Sequence, residues 1–234
     1  MEAAQQGRAL VVEILSQRPA QNLTNTGVLK IRDGQGRRIE IAVDFVLSVT
    51  ESNWWAVYST RVPTKEHYAA VTIVHSESGP NHYTIPNVSR PPNDTNDILR
   101  LSGNQIFGSF AGSDFFMADL GIEFFYWPEQ KLLKSELRKS RLCRVLESIN
   151  PQPAPGAYSR VVSWIDDESL GIIHAEAYDF QNKLLKEFDA KKIKKVKGEW
   201  QLEEMEISNV QTGSRTQIEF NFDAKQFNEK SSGE

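Results

Sequence analysis

The sequence predicts a mainly β protein: an antiparallel sheet rolled into a barrel or half-barrel, with a helix at the start and helical pieces in the middle. Three observations carry this. Along the last segment Thr216, Ile218, Phe220 and Phe222 alternate with Arg215, Gln217, Glu219 and Asn221. Successive side chains of a strand face opposite sides, so the pattern describes a sheet with one apolar and one wet face. Segments of this kind are joined by short turn-forming stretches, Gln181-Asn182-Lys183 and Gln211-Thr212-Gly213-Ser214. Between Asp94 and Trp127 the alternation stops and apolar residues cluster, which places helical pieces against the covered face and leaves the barrel unclosed.

In order, Glu2 to Gln17 reads as an amphipathic helix, with Ala3, Gly7, Leu10, Val11, Ile14 and Leu15 at helical spacing and Pro19 ending the pattern. Gly27–Arg32 and Arg38–Val49 form a hairpin across Asp33-Gly34-Gln35-Gly36, with Ile39, Ile41, Val43, Phe45 and Leu47 on one face. The Gly34-x-Gly36 fragment lacks the following helix that a phosphate loop requires, so it reads as a turn. Trp54–Thr60, Tyr68–His75 and Asn81–Ile85 are further strands, and Asn87 to Asn96, rich in Pro, Asn and Asp, is a loop. Ile98, Leu99 and Leu101 suggest a short helix begun by Asp94 or Thr95; Ser113 or Asp114 caps a second one, Phe115–Leu120, ended by Gly121. Lys131–Leu137 and Arg141–Ser148 are read as two strands joined at Arg138-Lys139-Ser140, and a meander from 158 to 222 completes the chain. The count is about ten strands, with few helices.

The 234 residues, 39% of them hydrophobic, suffice for one large domain spanning 1–234, with the helix at 2–17 and the helical lid or plug at 94–127 as parts of it. A net charge of −4 provides no long-range field for nucleic acid. The lone cysteine, Cys143, excludes an internal disulfide. The N-terminal residues lack the basic-then-apolar pattern of a signal peptide.

Little in the sequence points to catalysis. The histidines His67, His75, His82 and His174 lack zinc-motif spacing, so no metal is assigned. Asp166, Asp167 and Glu168 read as a solvated turn rather than an acid–base pair. A nucleophile elbow is absent. Lys191, Lys192, Lys194, Lys195 and Lys197 could dock an anionic membrane surface, but without interleaved aromatic residues they read as a solvated hairpin end. No catalytic residue and no cofactor is therefore expected. The aromatic stretch Phe115–Trp127 admits two readings: core that plugs the sheet, which is favoured, or a lid over an apolar cavity.

Tyr158-x-x-Val161-Val162-x-Trp164-Ile165-Asp166, Glu176-x-Tyr178-Asp179, Leu185-Lys186, Val196-x-Gly198-x-Trp200, Met205-x-Ile207-x-Asn209 and Thr212-Gly213-x-x-Thr216 follow one another in an order that resembles the C-terminal half of bacterial outer-membrane lipoprotein-sorting proteins, relatives of the periplasmic carrier LolA. Gly112-Ser113-Asp114-Phe115 through Asp119-Leu120 resembles their middle, and Gly27-x-Leu29-x-Ile31-Arg32-Asp33 their start. The resemblance implies an unclosed, strongly curved antiparallel sheet with helices on its concave side. It also implies an exported, periplasmic, non-enzymatic carrier of lipoprotein acyl chains or other lipid. The expected partners are such acyl chains or lipid, together with envelope membrane proteins, and no nucleic acid; the expected state is a monomer. An interaction protein with a filled core and no lipid ligand is the alternative. The chain's own apolar faces nominate the lining of the concavity: Val43, Phe45, Trp164 and Phe220 from strands, and Phe115, Phe116, Leu120 and Phe124 from the middle segment.

Overall fold

A computed structural model describes residues 1–61, 69–76, 79–86, 98–196 and 199–221. Helix α1 (Glu2–Leu15) precedes six strands: β1 (Leu23–Arg32), β2 (Arg38–Val49), β3 (Asn53–Arg61), β4 (Ala70–Ser76), β5 (His82–Pro86) and β6 (Ile98–Leu101). A crossing segment of two 3-10 turns (Gly103–Phe107 and Glu123–Tyr126) and one helical turn, α2 (Met117–Leu120), follows. Then come β7 (Glu129–Arg138), β8 (Arg141–Ile149), β9 (Tyr158–Asp166), β10 (Ile172–Asp179), β11 (Leu184–Val196), β12 (Glu199–Asn209) and β13 (Ser214–Asn221).

Among the described residues the strands form one 13-stranded antiparallel sheet, ordered β6-β5-β4-β3-β2-β1-β13-β12-β11-β10-β9-β8-β7. Two meanders are thus sewn together where β1 pairs with β13, with Leu29 opposite Ile218 and Gly27 opposite Phe220. Gly27 is required there: a Cβ would fall 2.4 Å from the Glu219 carbonyl oxygen. The order puts β6 and β7 at opposite edges, so the chain between them has to cross the covered face of the whole sheet. That crossing is why the strand pattern breaks at mid-sequence.

The sheet curls. Trp54 and Tyr58 on β3 line the same cavity as Ala175 and Ala177 on β10, although six strand steps separate them, which is about 29 Å in a flat sheet. The covered face holds two apolar clusters. One joins Leu29, Ile41, Val43, Val71, Ile73, Tyr83, Ile207 and Ile218 to Phe110 and Phe115 of the crossing segment. The other joins Leu10, Val11 and Ile14 of α1 to Phe124, Phe125, Leu146, Tyr158, Val161 and Ile165. Helix α1 lies against β7, where Gly7 allows an approach that a Cβ, 2.7 Å from Lys131 Cα, would block. Just past the helix, the Arg18 guanidinium donates to the carbonyls of Glu51, Thr50 and Asn53. The helix therefore bridges the β7 edge of the sheet to the β2–β3 turn in its other half.

The unclosed sheet, the N-terminal helix and the hairpins expected from sequence are present. Lys139 and Ser140 both have positive φ and make the two-residue turn between β7 and β8. Several expectations need correction. Ile98, Leu99 and Leu101 belong to strand β6, paired to β5, rather than to a helix; four residues are too few for periodicity to separate the two states. The helix expected over Phe115–Leu120 shrinks to α2, whose start is held by the Phe116 N–H donating to the Asp119 carboxylate at 2.7 Å. Asp114 does not cap it, because its carboxylate accepts from the Ser214 and Thr216 hydroxyls and pins the segment to β13. The described strands number thirteen rather than about ten. The start of the Tyr68 strand, the 87–96 loop, the Asp94 helix start, His67, Lys197 and Phe222 lie outside the described residues.

Candidate functional site

Where the crossing segment leaves the sheet incompletely filled, a cavity of about 390 Å³ remains, within the range of ligand pockets. Its walls are overwhelmingly apolar. The floor is Ala175 and Ala177 of β10 with Phe188 of β11 and Met205 and Ile207 of β12; the roof is Phe115, Leu120, Ile122 and Phe124. The two alanines create the space, because cross-strand neighbours with larger side chains would fill it. A second cavity, of about 480 Å³, adjoins it under the end of α1 and shares Ile14, Gln17, Trp54 and Ile122 with the first. There Trp54 stacks on His75 with ring centres 3.6 Å apart, and burial pulls the His75 imidazole down to about 4, so it is neutral at pH 7.

One polar cluster interrupts the apolar wall. The Lys186 ammonium, buried among Phe116, Asp119 and Tyr158, donates to the Asp114 carbonyl at 2.6 Å and lies 3.7 Å from the Asp119 carboxylate. It stands 2.9 Å from the centroid of the Phe116 ring. The Tyr158 hydroxyl donates to Asp119 at 3.1 Å. Burial pulls Lys186 down to about 8, and burial raises the Asp119 carboxyl against the opposing pull of Lys186. Nearby, Tyr83 donates to Glu123 at 3.0 Å and Asn81 to the Gly121 carbonyl at 2.7 Å; burial pushes Glu123 up to about 7. Gln130 donates to the Phe124 and Trp127 carbonyls and accepts from Ser148, which satisfies the end of the second 3-10 turn.

Of the residues nominated from sequence, Phe115, Leu120 and Phe124 line the cavity. Phe116 packs against both clusters and under Lys186. Val43 and Phe220 belong to the first cluster, and Phe45 stands between Tyr58 and Phe220 at 4.9 and 6.0 Å. They are not brought to the cavity wall. Trp164 is on the other face of the sheet, in a third cluster with Cys143, Val145, Val162 and Ile173, its indole N–H donating to Glu136. Strand β9 is buried on both faces, so Val161, Val162, Trp164 and Ile165 offer no polar side by which to orient it. Phe115 is 2% exposed, so the aromatic stretch is a packed plug that also roofs the cavity rather than an exposed lid.

Other expectations resolve similarly. Asp166 is not solvated: against the effect of burial, two hydrogen bonds from Arg141 and two from Ser169 hold its carboxyl down at about 2. Within the lysine run, Lys191 pairs with Glu206, Lys192 with Glu203 and Lys195 with Glu168. The alanines, Lys186 and Tyr158 were missed. Their signal was present: Ala175 and Ala177 alternate with His174 and Glu176, and Lys186 shares a strand face with Phe188.

A family model described only as an uncharacterized protein-like family matches residues 92–231, more than half of the chain. No curated protein matches it. Among solved structures, a DUF1329 family protein from Desulfovibrio piger superposes with a TM-score of 0.76 at 19% identity, covering 94% of this chain and 92% of that one. A domain described as outer membrane lipoprotein-sorting, from Vibrio parahaemolyticus, gives 0.76 at 19% identity, covering 93% and 91%. A LolA superfamily protein from Nitrosomonas europaea gives 0.62 at 16% identity, covering 94% and 91%. The resemblance to lipoprotein-sorting proteins therefore holds at the level of the fold.

Proposed function

We propose, from the premise that this chain belongs to the uncharacterized-protein family matched over residues 92–231, that it is a non-enzymatic carrier or binder of acyl chains in the bacterial envelope. The observation that carries the reading is the apolar cavity of about 390 Å³ between the crossing segment and β10–β12. Burying an acyl chain is worth about 0.8 kcal/mol per methylene, so an apolar recess is sufficient for capture. Release requires only a destination of comparable apolarity, and a bilayer supplies one. A catalytic group has no part in such a cycle. The structural relatives in the lipoprotein-sorting group share the fold, which supports an acyl-modified polypeptide or free lipid as cargo and an exported location.

A second reading has its own observation. Phe110, Phe115 and Phe125 are almost fully buried, so much of the covered face is filled by the chain itself, as an interaction protein without a lipid ligand would require. Titration of the delipidated protein with a fluorescent long-chain fatty acid separates the two. The carrier reading requires saturable binding by the wild type and its loss in Ala175→Trp, with the thermal midpoint largely retained. Absence of saturable binding by the wild type, together with no co-purifying lipid in native mass spectrometry, favours the filled-core reading.

A further inference from the structure

On the face of the sheet opposite the cavity, three side chains converge: His174 and Glu176 on β10 and Glu187 on β11, each with one donor atom within 4.8 Å of the others. We propose that these residues form a binding site for a borderline divalent cation of the zinc type. Four features support it. The His174 Nε2 is buried, has no hydrogen-bond partner and lies 3.8 Å from a Glu176 carboxylate oxygen; the residue is 3% exposed. An imidazole nitrogen left unsatisfied in the interior is costly unless something occupies its lone pair. The other ring nitrogen, Nδ1, is 3.2 Å from the Asp189 carboxylate. With Nδ1 donating to Asp189, Nε2 is the ligating nitrogen, the carboxylate–histidine arrangement that orients metal ligands.

Glu176 is held in the same manner. The Tyr178 hydroxyl donates to one of its oxygens at 2.7 Å, and the other oxygen faces His174. Finally, Glu176 and Glu187 are direct cross-strand partners. Like charges in that position repel, and a cation between them converts the repulsion into a clamp across β10 and β11. The donor set of one imidazole and two carboxylates suits zinc, whose sites often combine three protein ligands with an open position. Magnesium and calcium prefer all-oxygen surroundings. Histidine spacing in the sequence could not reveal this, because two of the ligands are carboxylates and one arrives from the neighbouring strand.

The test is calorimetric titration of chelator-treated full-length protein with zinc chloride and, separately, magnesium chloride, with thermal midpoints recorded alongside. The site predicts one zinc per chain, a raised midpoint with zinc and none with magnesium. Glu187→Gln, at a half-buried position, should weaken zinc binding by at least about tenfold while the metal-free midpoint holds or rises; Asp189→Asn should weaken it roughly 10–100-fold. His82→Ala, at an exposed histidine, should leave it unchanged. Absence of saturable zinc binding by the wild type overturns the site, as does zinc binding insensitive to Glu187→Gln and His174→Gln. Magnesium binding as tight as zinc overturns the assigned cation class.

Discussion

The Lys186 ammonium stands 2.9 Å from the centroid of the Phe116 ring and 3.7 Å from the Asp119 carboxylate, inside the apolar wall of the cavity. A buried charge is tolerated only while its partners are present. Lys186→Met should therefore destabilise the protein by about 3–5 kcal/mol by removing the only cation that faces the buried Asp119 among the described residues, and Lys186→Met with Asp119→Asn should recover part of that loss. Urea denaturation of the three proteins measures both; equal stability of the single and double variants would show that the facing Asp119 charge is not the source of the loss.

The two faces of β13 should respond differently to truncation. Ile218 is 1% exposed in the first cluster, so Ile218→Ala should cost about 2–5 kcal/mol. Phe220, only half-buried against Phe45, should cost less than the roughly 3–5 kcal/mol of a fully packed phenylalanine. Gln217→Ala, on the wet face, should change stability by no more than about 0.5 kcal/mol. Chemical denaturation ranks the three, and a Gln217 loss matching that of Ile218 would contradict the face assignment.

Phe115 is packed in the plug and also roofs the cavity. Phe115→Ala should cost about 3–5 kcal/mol, towards the low end because one side already adjoins open space. Fatty-acid titration beside thermal unfolding shows whether binding and stability fall together, as a combined plug and roof requires. Unchanged stability would restore the lid reading.

Glu123 makes stability depend on pH. Its folded carboxyl is pushed up to about 7 by burial, above the ordinary 4.5. The folded state therefore holds this proton more tightly than the unfolded state, and the contribution to stability falls as pH rises from about 4.5 through about 7. Glu123→Gln removes the penalty, so it should be more stable than the wild type at pH 8, by up to about 3 kcal/mol, with the advantage vanishing near pH 4.5. His75, pulled down to about 4, acts in the opposite sense: its contribution is lost as pH falls from about 6.5 through about 4. Comparing the variant with the wild type across the pH range isolates Glu123, since His75 is common to both. An advantage that grows toward acid pH would refute the assignment.

Particular residues show why some features were legible in the sequence and others were not. On β13 polar and apolar residues alternate, so Ile218 announced its face. On β9 both faces are buried, and Trp164 could be placed on either. Lys186 reads in the sequence as a surface lysine; the Asp114 carbonyl, the Asp119 carboxylate and the Phe116 ring, all far away along the chain, make its burial tolerable.

By itself the sequence determined most of the antiparallel strands, the hairpin turns, the helix at the start and a mid-sequence break ahead of Trp127, because period, turn chemistry and helix stops are local properties of the chain. The tertiary structure decided the rest. The pairing of β1 with β13 places β6 and β7 at opposite edges and sends the middle segment across the covered face. The curl of the sheet brings Trp54 toward Ala175, and the register of β10 on β11 sets Glu176 against Glu187. These relationships join residues remote in sequence, and the free energy that selects them comes from burying apolar surface between elements, which no single segment encodes.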